Sequence, residues 1–144
     1  MVDATVSGGT GAREPAAGAG SEGLGPLATD LATDVATDLA TASLALARRY
    51  AAGATMWCTA PSWPAHAHHV AVEFVHPVIV GKRALPAAAL PGDDLVGSLR
   101  VLSRPGDILV AVAGSGERAV AAAMRRARAW DLLTIWIGAG PRPE

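Results

Sequence analysis

The chain has 144 residues, of which 51% are hydrophobic, with a formal net charge of −1 and a pI of about 6.4. This length suits one domain with one core, and the near-neutral charge excludes general nucleic-acid binding, which depends on an excess of Lys and Arg. A lone cysteine, Cys58, excludes an internal disulfide, and no apolar run is long enough to span a membrane. We therefore expect a cytoplasmic protein that binds neither nucleic acid nor membrane.

The N-terminal segment is rich in Gly, Ala and Ser and lacks the apolar stretch of a signal peptide. Because it offers little to bury, we predict a disordered tail over residues 1–25 and a folded domain over residues 26–140. A helix is predicted to begin at Pro26 and to end near Gly53, a residue that suits a left-handed C-cap. Its repeat LATDLATDVATDLATASL has an apolar stripe at every fourth residue, namely Leu27, Leu31, Val35 and Leu39.

The rest of the chain alternates between short apolar runs and helical patterns. Buried strands are predicted at residues 54–58, 108–113 and 132–138, and the ambiguous residues 84–90 have room for a short strand. Helices are predicted at residues 64–75, from a cap at Asp93 or Asp94, and at residues 117–130. The alternation indicates an α/β fold, a three-layer αβα sandwich around a parallel sheet with right-handed crossovers.

A Gly114-Ser115-Gly116 turn lies between a predicted strand and a predicted helix. The free N–H groups of a helix's first turn point at such a turn, and this arrangement suits a phosphate. The segment also matches G-x-G-x-x-A as far as Ala119, but the next strand ends without the acid that a dinucleotide ribose requires. We therefore predict an anion site and no nucleotide cofactor, with a plain tight turn as the alternative.

Three histidines and one glutamate follow a single face of the helix predicted at residues 64–75. His66, His69, Glu73 and His76 have the spacing i, i+3, i+7, i+10. Imidazole and carboxylate groups at this spacing can ligate a divalent metal such as zinc, with His66, His69 and Glu73 as predicted ligands. The alternative is a set of surface or partly buried histidines that are satisfied by ordinary hydrogen bonds.

The segment RPGDILVAVAGSGERAVAAAMRRARAWDLLTIWIG resembles the centre of a SIS (sugar isomerase) domain. Gly106, Asp107 and Leu109 match the family's G-D-x-L pattern, and Ser115-Gly116 match the turn whose hydroxyls bind a sugar phosphate. The resemblance implies phosphate binding by the turn and by an arginine that replaces a family hydroxyl, through Gly114, Ser115, Gly116 and Arg118.

The upstream segment resembles the phosphoheptose isomerase branch of that family. With LPAAAL aligned at residues 85–90, His69 and Glu73 fall on a metal-binding or proton-transferring histidine and on a catalytic glutamate. The resemblance implies that Glu73 moves a proton between adjacent sugar carbons, helped by His69 or its metal. The family's first phosphate loop, G-N-G-G-S, is replaced by TAPSW, which keeps Ser62 as a phosphate ligand, while Pro61 and Trp63 are expected to close the pocket floor.

The resemblance implies a sugar-phosphate-binding protein with weak or no isomerase activity. The alternative is a non-catalytic subunit or assembly factor that uses the fold for protein contacts. The family's second catalytic histidine and at least one more strand and helix would lie beyond the last residue, so we expect a shortened domain. The apolar stripe on the first helix is then expected to pair in a homodimer or to contact another protein.

Overall fold

The computed structural model describes residues 24–76, 81–91, 93–114 and 116–138. These contain four helices and four strands in alternation: α1 (Leu24–Ala51), β1 (Met56–Thr59), α2 (Pro64–Val75), β2 (Ala87–Ala89), α3 (Leu95–Leu102), β3 (Ile108–Val112), α4 (Arg118–Ala129) and β4 (Leu133–Ile137). The predicted elements are confirmed, and the ambiguous residues 84–90 contain β2. Nearly all of the predicted tail lies outside the described residues. No described helix is long and apolar enough to cross a membrane.

The four strands form one parallel sheet in the order β2-β1-β3-β4. Met56 at the start of β1 pairs with Ala87 on one side and with Ile108 on the other, and Ile108 pairs in turn with Leu133. β1 and β3 are therefore the two central strands. Their near-continuous apolar character is typical of strands that are covered on both faces.

Successive side chains of β3 point to opposite faces of the sheet and separate two hydrophobic clusters. Ile108 and Val110 pack with Ala67 and Ala71 of α2, and with the partly buried Leu46 and Tyr50 of α1. On the other face, Leu109 and Ala111 pack in a cluster with the buried residues of α3 and α4: Leu95, Leu99, Val120, Ala123, Met124 and Ala127. Helices on both faces confirm the three-layer αβα architecture.

The long helix α1 runs through two compact units of the chain, which divide between Asp38 and Leu39. In the first unit, the hydroxyls of Thr33 and Thr37 each donate to the carbonyl oxygen four residues earlier, at 2.9 Å. Such bonds satisfy a threonine hydroxyl inside a helix. In the second unit, the helix ends at Ala51, and Gly53 just after it has φ +90° and donates its N–H to the Tyr50 carbonyl at 3.0 Å, so the helix ends near Gly53 as the sequence predicted.

A buried aspartate ties together the amino ends of the two central strands. Asp107 is only 6% exposed. Its carboxylate accepts hydrogen bonds from the backbone N–H groups of Thr55 and Arg104 at 2.9 Å and from the Trp57 indole N–H at 3.0 Å. The preceding Gly106 has φ +94°, a conformation that glycine adopts without a Cβ clash. The Gly-Asp pair is thus explained by the turn before β3 and by the hydrogen bonds that Asp107 accepts from β1 and its preceding residue.

Candidate functional site

The connections of the two central strands leave the sheet in opposite directions. β1 leads into α2 on one face, whereas β3, its neighbour, leads into α4 on the other face. Between the carboxyl ends of such a pair the two loops diverge and leave a crevice, and ligands of open α/β sheets bind there. We call the space beside residues 59–63 and 113–117 the switch-point crevice.

Thr59, the last residue of β1, places a hydroxyl at the switch-point crevice. The residue is 1% exposed, and its Oγ1 has no hydrogen-bond partner among the described residues. The sequence analysis did not select Thr59, although a hydroxyl at the end of a central parallel strand was a usable signal. Because buried polar groups are paired in the great majority of cases, this hydroxyl is one that a buried water or a polar ligand would satisfy.

A cavity of about 210 Å³ lies beside Thr59, between the carboxyl ends of β1 and β2 and the start of α2, and His68 and Pro61 also line it. The sequence analysis left His68 out of the histidine stripe, and in the structure His68 lines this separate cavity. His68 follows the buried Ala67 in the first turn of α2, so it flanks the side of the helix that packs on the sheet. A hydroxyl and an imidazole from separate elements thus line one cavity whose other lining residues are apolar.

The second loop at the crevice carries the predicted anion site. Ser115 lies outside the described residues. Gly114 and Gly116 have open space where a Cβ would be, and neither has a positive φ, so conformational freedom is not the reason for these two glycines. The space above the loop is accessible to a ligand. Arg118 begins α4 with its side chain exposed.

A carboxylate of the same loop already occupies part of this site. The Gly114 N–H donates to Glu117 Oε1 at 3.0 Å, and the Glu117 N–H donates back to the Gly114 carbonyl at 3.2 Å. Glu117 is also the N-cap residue of α4, where it makes no side-chain capping bond. The N–H groups of the first turn of α4 therefore lack a side-chain cap. The Glu117 carboxylate places a negative charge next to the position predicted for phosphate.

The predicted catalytic pair lies on the outer side of α2. His69 Nε2 is 3.8 Å from Glu73 Oε1, with side-chain exposures of 72% and 47%. His66, the third predicted metal ligand, is exposed and has its ring edge-on to Trp63, with 6.3 Å between ring centroids. Within the described residues, no three His, Cys, Asp or Glu side chains come close enough to hold a metal. Two ligands do not make a zinc site, so these residues do not fit the predicted metal.

The loop at residues 59–63 differs from the expected closed pocket floor. Trp63 is 52% exposed at the start of α2 and does not fill the crevice. Pro61 lines the small cavity beside Thr59, and Ser62 is exposed to solvent. The replacement of the glycine-rich family loop therefore leaves the crevice open on this side.

Three further buried polar groups lie in the sheet and in the helix α1 that packs on it. Burial raises the pKa of the Cys58 thiol to about 12, so the thiol is neutral and unreactive at physiological pH. Burial also raises the pKa of the Tyr50 hydroxyl, and the neighbouring Cys58 adds to that shift. On β4, the Trp136 indole N–H is buried without a partner among the described residues. A Cβ on Gly138 would collide with the Ala113 carbonyl, which explains the glycine at the end of this strand.

The fold is that of phosphoheptose isomerases. The structure of a phosphoheptose isomerase from Francisella tularensis matches with a TM-score of 0.54 and 16% identity over 82% of this chain and 76% of that one. The phosphoheptose isomerase from Neisseria gonorrhoeae matches with a TM-score of 0.54 and 19% identity over 78% of this chain and 74% of that one. No family model and no curated protein matches the sequence. At these identities the likeness shows the fold alone, and it agrees with the SIS-like architecture that the sequence predicted.

Proposed function

We propose that this protein binds a phosphorylated sugar in the switch-point crevice. The observation that carries the proposal is the buried, unpaired hydroxyl of Thr59 beside a cavity at the carboxyl edge of the sheet. A sugar hydroxyl supplies the hydrogen bond that Thr59 lacks, because hydroxyls both donate and accept. The fold shared with phosphoheptose isomerases supports the same class of ligand.

The phosphate end of the ligand belongs at the start of α4. The backbone N–H groups of its first turn lack a side-chain cap, and Arg118 can add a charge-assisted hydrogen bond. Gly114 and Gly116 leave room for the phosphate to approach the backbone. Ser115 and Ser62, predicted from the sequence, would contribute hydroxyls from the two loops. The sugar end then extends towards Thr59 and His68.

Replacing Thr59 with valine tests this arrangement. We expect the affinity for sedoheptulose 7-phosphate to fall about tenfold, because one hydrogen bond with the sugar is lost. We expect the free energy of unfolding without ligand to stay the same or to rise by up to about 1 kcal/mol, because an unpaired buried hydroxyl is removed. Isothermal titration calorimetry gives the affinity, and urea unfolding gives the stability.

Thr134→Val is the matched control, since Thr134 lies in the middle of β4 rather than at the crevice. This variant should bind the sugar phosphate as the wild type does. An affinity that is the same in wild type and Thr59→Val would contradict the proposed site. So would equal binding of the phosphorylated and the free sugar by the wild type.

We expect isomerase turnover to be weak or absent. Glu73, the proposed base, is 47% exposed on α2 and lines neither the cavity beside Thr59 nor the loop at residues 113–117, so it does not face the proposed sugar site. His69, at 3.8 Å, is more exposed still. NMR of sedoheptulose 7-phosphate incubated with the protein measures the rate. Robust turnover that disappears in Glu73→Gln would show that the enzyme is active.

A second candidate function, a non-catalytic subunit, is favoured by the apolar surface of α1. Val35 and Leu39, which share one side of the helix, are 58% and 65% exposed. Large apolar side chains that recur along one helix in contact with water indicate a surface for another protein. A second copy of the chain satisfies both candidate functions, because a two-fold axis would bury the same stripe on each partner.

We therefore expect a homodimer at micromolar concentration that Leu39→Lys weakens at least tenfold, since a buried charge replaces a buried apolar side chain. Sedimentation velocity over a concentration series measures the dissociation constant. Thr37→Lys is the control, because it adds the same charge two residues away on the helix, roughly on its opposite side. A stable, folded wild-type monomer would contradict the homodimer, and complex formation only with a different protein would favour the subunit role.

A further inference from the structure

A second cavity, of about 610 Å³, lies at the opposite edge of the sheet from the switch-point crevice. It is enclosed by the last turns of α3 and α4 and by the chain just before β3 and β4. Three arginines line it: Arg100 from α3, Arg104 from the loop before β3 and Arg126 from α4. We call this space the arginine cavity. None of its lining residues belongs to the sugar-phosphate site proposed above.

No acidic residue lines the arginine cavity. The two acids in neighbouring positions of the chain are already engaged. Asp107 accepts its three hydrogen bonds from N–H groups of the backbone and of Trp57, and Asp131 pairs with Arg49 at 3.3 Å. Among the described residues, the three cavity arginines form no ion pair. Three guanidinium groups therefore share one concave surface without a carboxylate.

Helix ends account for only part of this arrangement. Arg100 and Arg126 lie in the last turns of α3 and α4, where the helix dipole favours cations. Each helix end contributes the equivalent of about half a negative charge. Two helix ends therefore leave most of the positive charge of three arginines uncompensated. Arg104 lies in a loop, so the dipole of its own element does not explain it.

The remaining wall of the cavity is flat and apolar. Trp130, the C-cap residue of α4, is partly buried and packs against the hydrophobic cluster under α3 and α4, so its indole is held in place. Val96 and Leu132 continue this wall. An indole in the lining of a cavity offers a stacking partner for a planar ring. The cavity volume falls within the range of about 300–1,000 Å³ that is typical of small-molecule sites.

We propose that the arginine cavity binds a nucleotide, with the phosphate groups held by Arg100, Arg104 and Arg126 and the base against Trp130. Guanidinium groups bind phosphate oxygens in pairs of parallel hydrogen bonds, so three of them suit a ligand with more than one phosphate. An acidic peptide offers the same charge without a planar ring. The indole wall and the enclosed volume therefore favour the nucleotide.

Calorimetry of the full-length chain with ADP, adenosine and inorganic phosphate tests the proposal. We expect ADP to bind at least tenfold more tightly than adenosine or phosphate, because only ADP uses both the arginines and the indole. The double variant Arg100→Gln/Arg126→Gln should lower the ADP affinity at least tenfold, since two charge-assisted contacts are lost. Both positions are exposed on helices, and circular dichroism checks that the variant is folded.

Lys82→Gln/Arg83→Gln is the charge-matched control, because Lys82 and Arg83 are exposed in the loop before β2 and line neither the arginine cavity nor the cavity beside Thr59. It should leave ADP binding unchanged. Thr59→Val should also leave it unchanged, which separates this proposal from the sugar-phosphate site. Absence of ADP binding at millimolar concentration, equal binding of phosphate and ADP, or equal ADP affinity in wild type and the double variant would each overturn the proposal. So would binding of polyglutamate or RNA without binding of ADP.

Discussion

Replacing Asp107 with alanine is expected to lower the free energy of unfolding by about 3–5 kcal/mol, because three N–H donors lose a buried charged acceptor together. The donors belong to Thr55, Trp57 and Arg104, and the carboxylate is only 6% exposed. A single unsatisfied buried donor costs about 1–3 kcal/mol. The Arg104 N–H lies in a loop and can regain a bond with water, which keeps the expected total below the sum of three such costs. Urea unfolding at neutral pH measures the loss.

The size of this effect matters because small domains are stable by only about 5–15 kcal/mol. Asp107→Ala is therefore expected to remove a large fraction of the stability and to broaden or abolish the cooperative transition. Asp107→Asn should give an intermediate loss, because one acceptor oxygen remains while an amide donor faces the other N–H groups. Asp93→Ala is the control, since this exposed carboxylate makes no hydrogen bond within the described residues. A loss below about 1 kcal/mol in Asp107→Ala would contradict the central structural role of the residue.

Replacing Glu117 with alanine is expected to raise the affinity for a phosphorylated sugar about tenfold or more. Glu117 accepts from the Gly114 N–H at 3.0 Å, so its negative charge stands where the phosphate is proposed to bind. Two like charges about 5 Å apart repel by about 3 kcal/mol at the effective dielectric constant of a protein surface, and a tenfold change corresponds to about 1.4 kcal/mol. The variant also frees one backbone N–H for the ligand. Calorimetry with sedoheptulose 7-phosphate measures the change.

The same variant is expected to lower the stability of the ligand-free protein by about 0.5–1 kcal/mol, because an acidic group at the amino end of α4 is lost. A gain in affinity together with a loss of stability is the pattern of a residue that stabilises an empty anion site. Asp93→Ala is again the control, because Asp93 lies in the loop just before the N-cap of α3. This variant should change the sugar-phosphate affinity and the stability much less than Glu117→Ala does. A fall in affinity in Glu117→Ala would instead make Glu117 a ligand contact.

Local patterns in the sequence were sufficient for the secondary structure and for the class of fold. α2 begins at Pro64 and ends before His76, and α3 is capped by Asp94, whose carboxylate accepts from the Gly97 N–H at 2.9 Å. These boundaries depend on residues within one helical turn of each other, so a sequence carries them directly. The alternation of apolar runs with helical patterns likewise predicted the parallel sheet.

The candidate site could be predicted only in part. The sequence predicted an anion site at the turn formed by residues 114–118, because a strand, a small-residue loop and a helix follow each other there along the chain. It also predicted that His69 and Glu73 share a helix face, and they lie 3.8 Å apart. It missed Thr59 and His68, and it did not predict that Glu117 folds back onto Gly114. Whether a side chain bonds within its own loop depends on the path of that loop in space.

By itself, the sequence determined the elements, their order and the α/β fold, because periodicity, caps and turn residues act over a few positions. Only the tertiary structure decided which chemical groups meet. Arg100, Arg104 and Arg126 line one cavity because α3 and α4 pack side by side on one face of the sheet. Thr59 and His68 line one cavity because α2 packs beside the carboxyl end of β1. Contacts between positions far apart in the chain depend on packing geometry, and no local pattern carries that information.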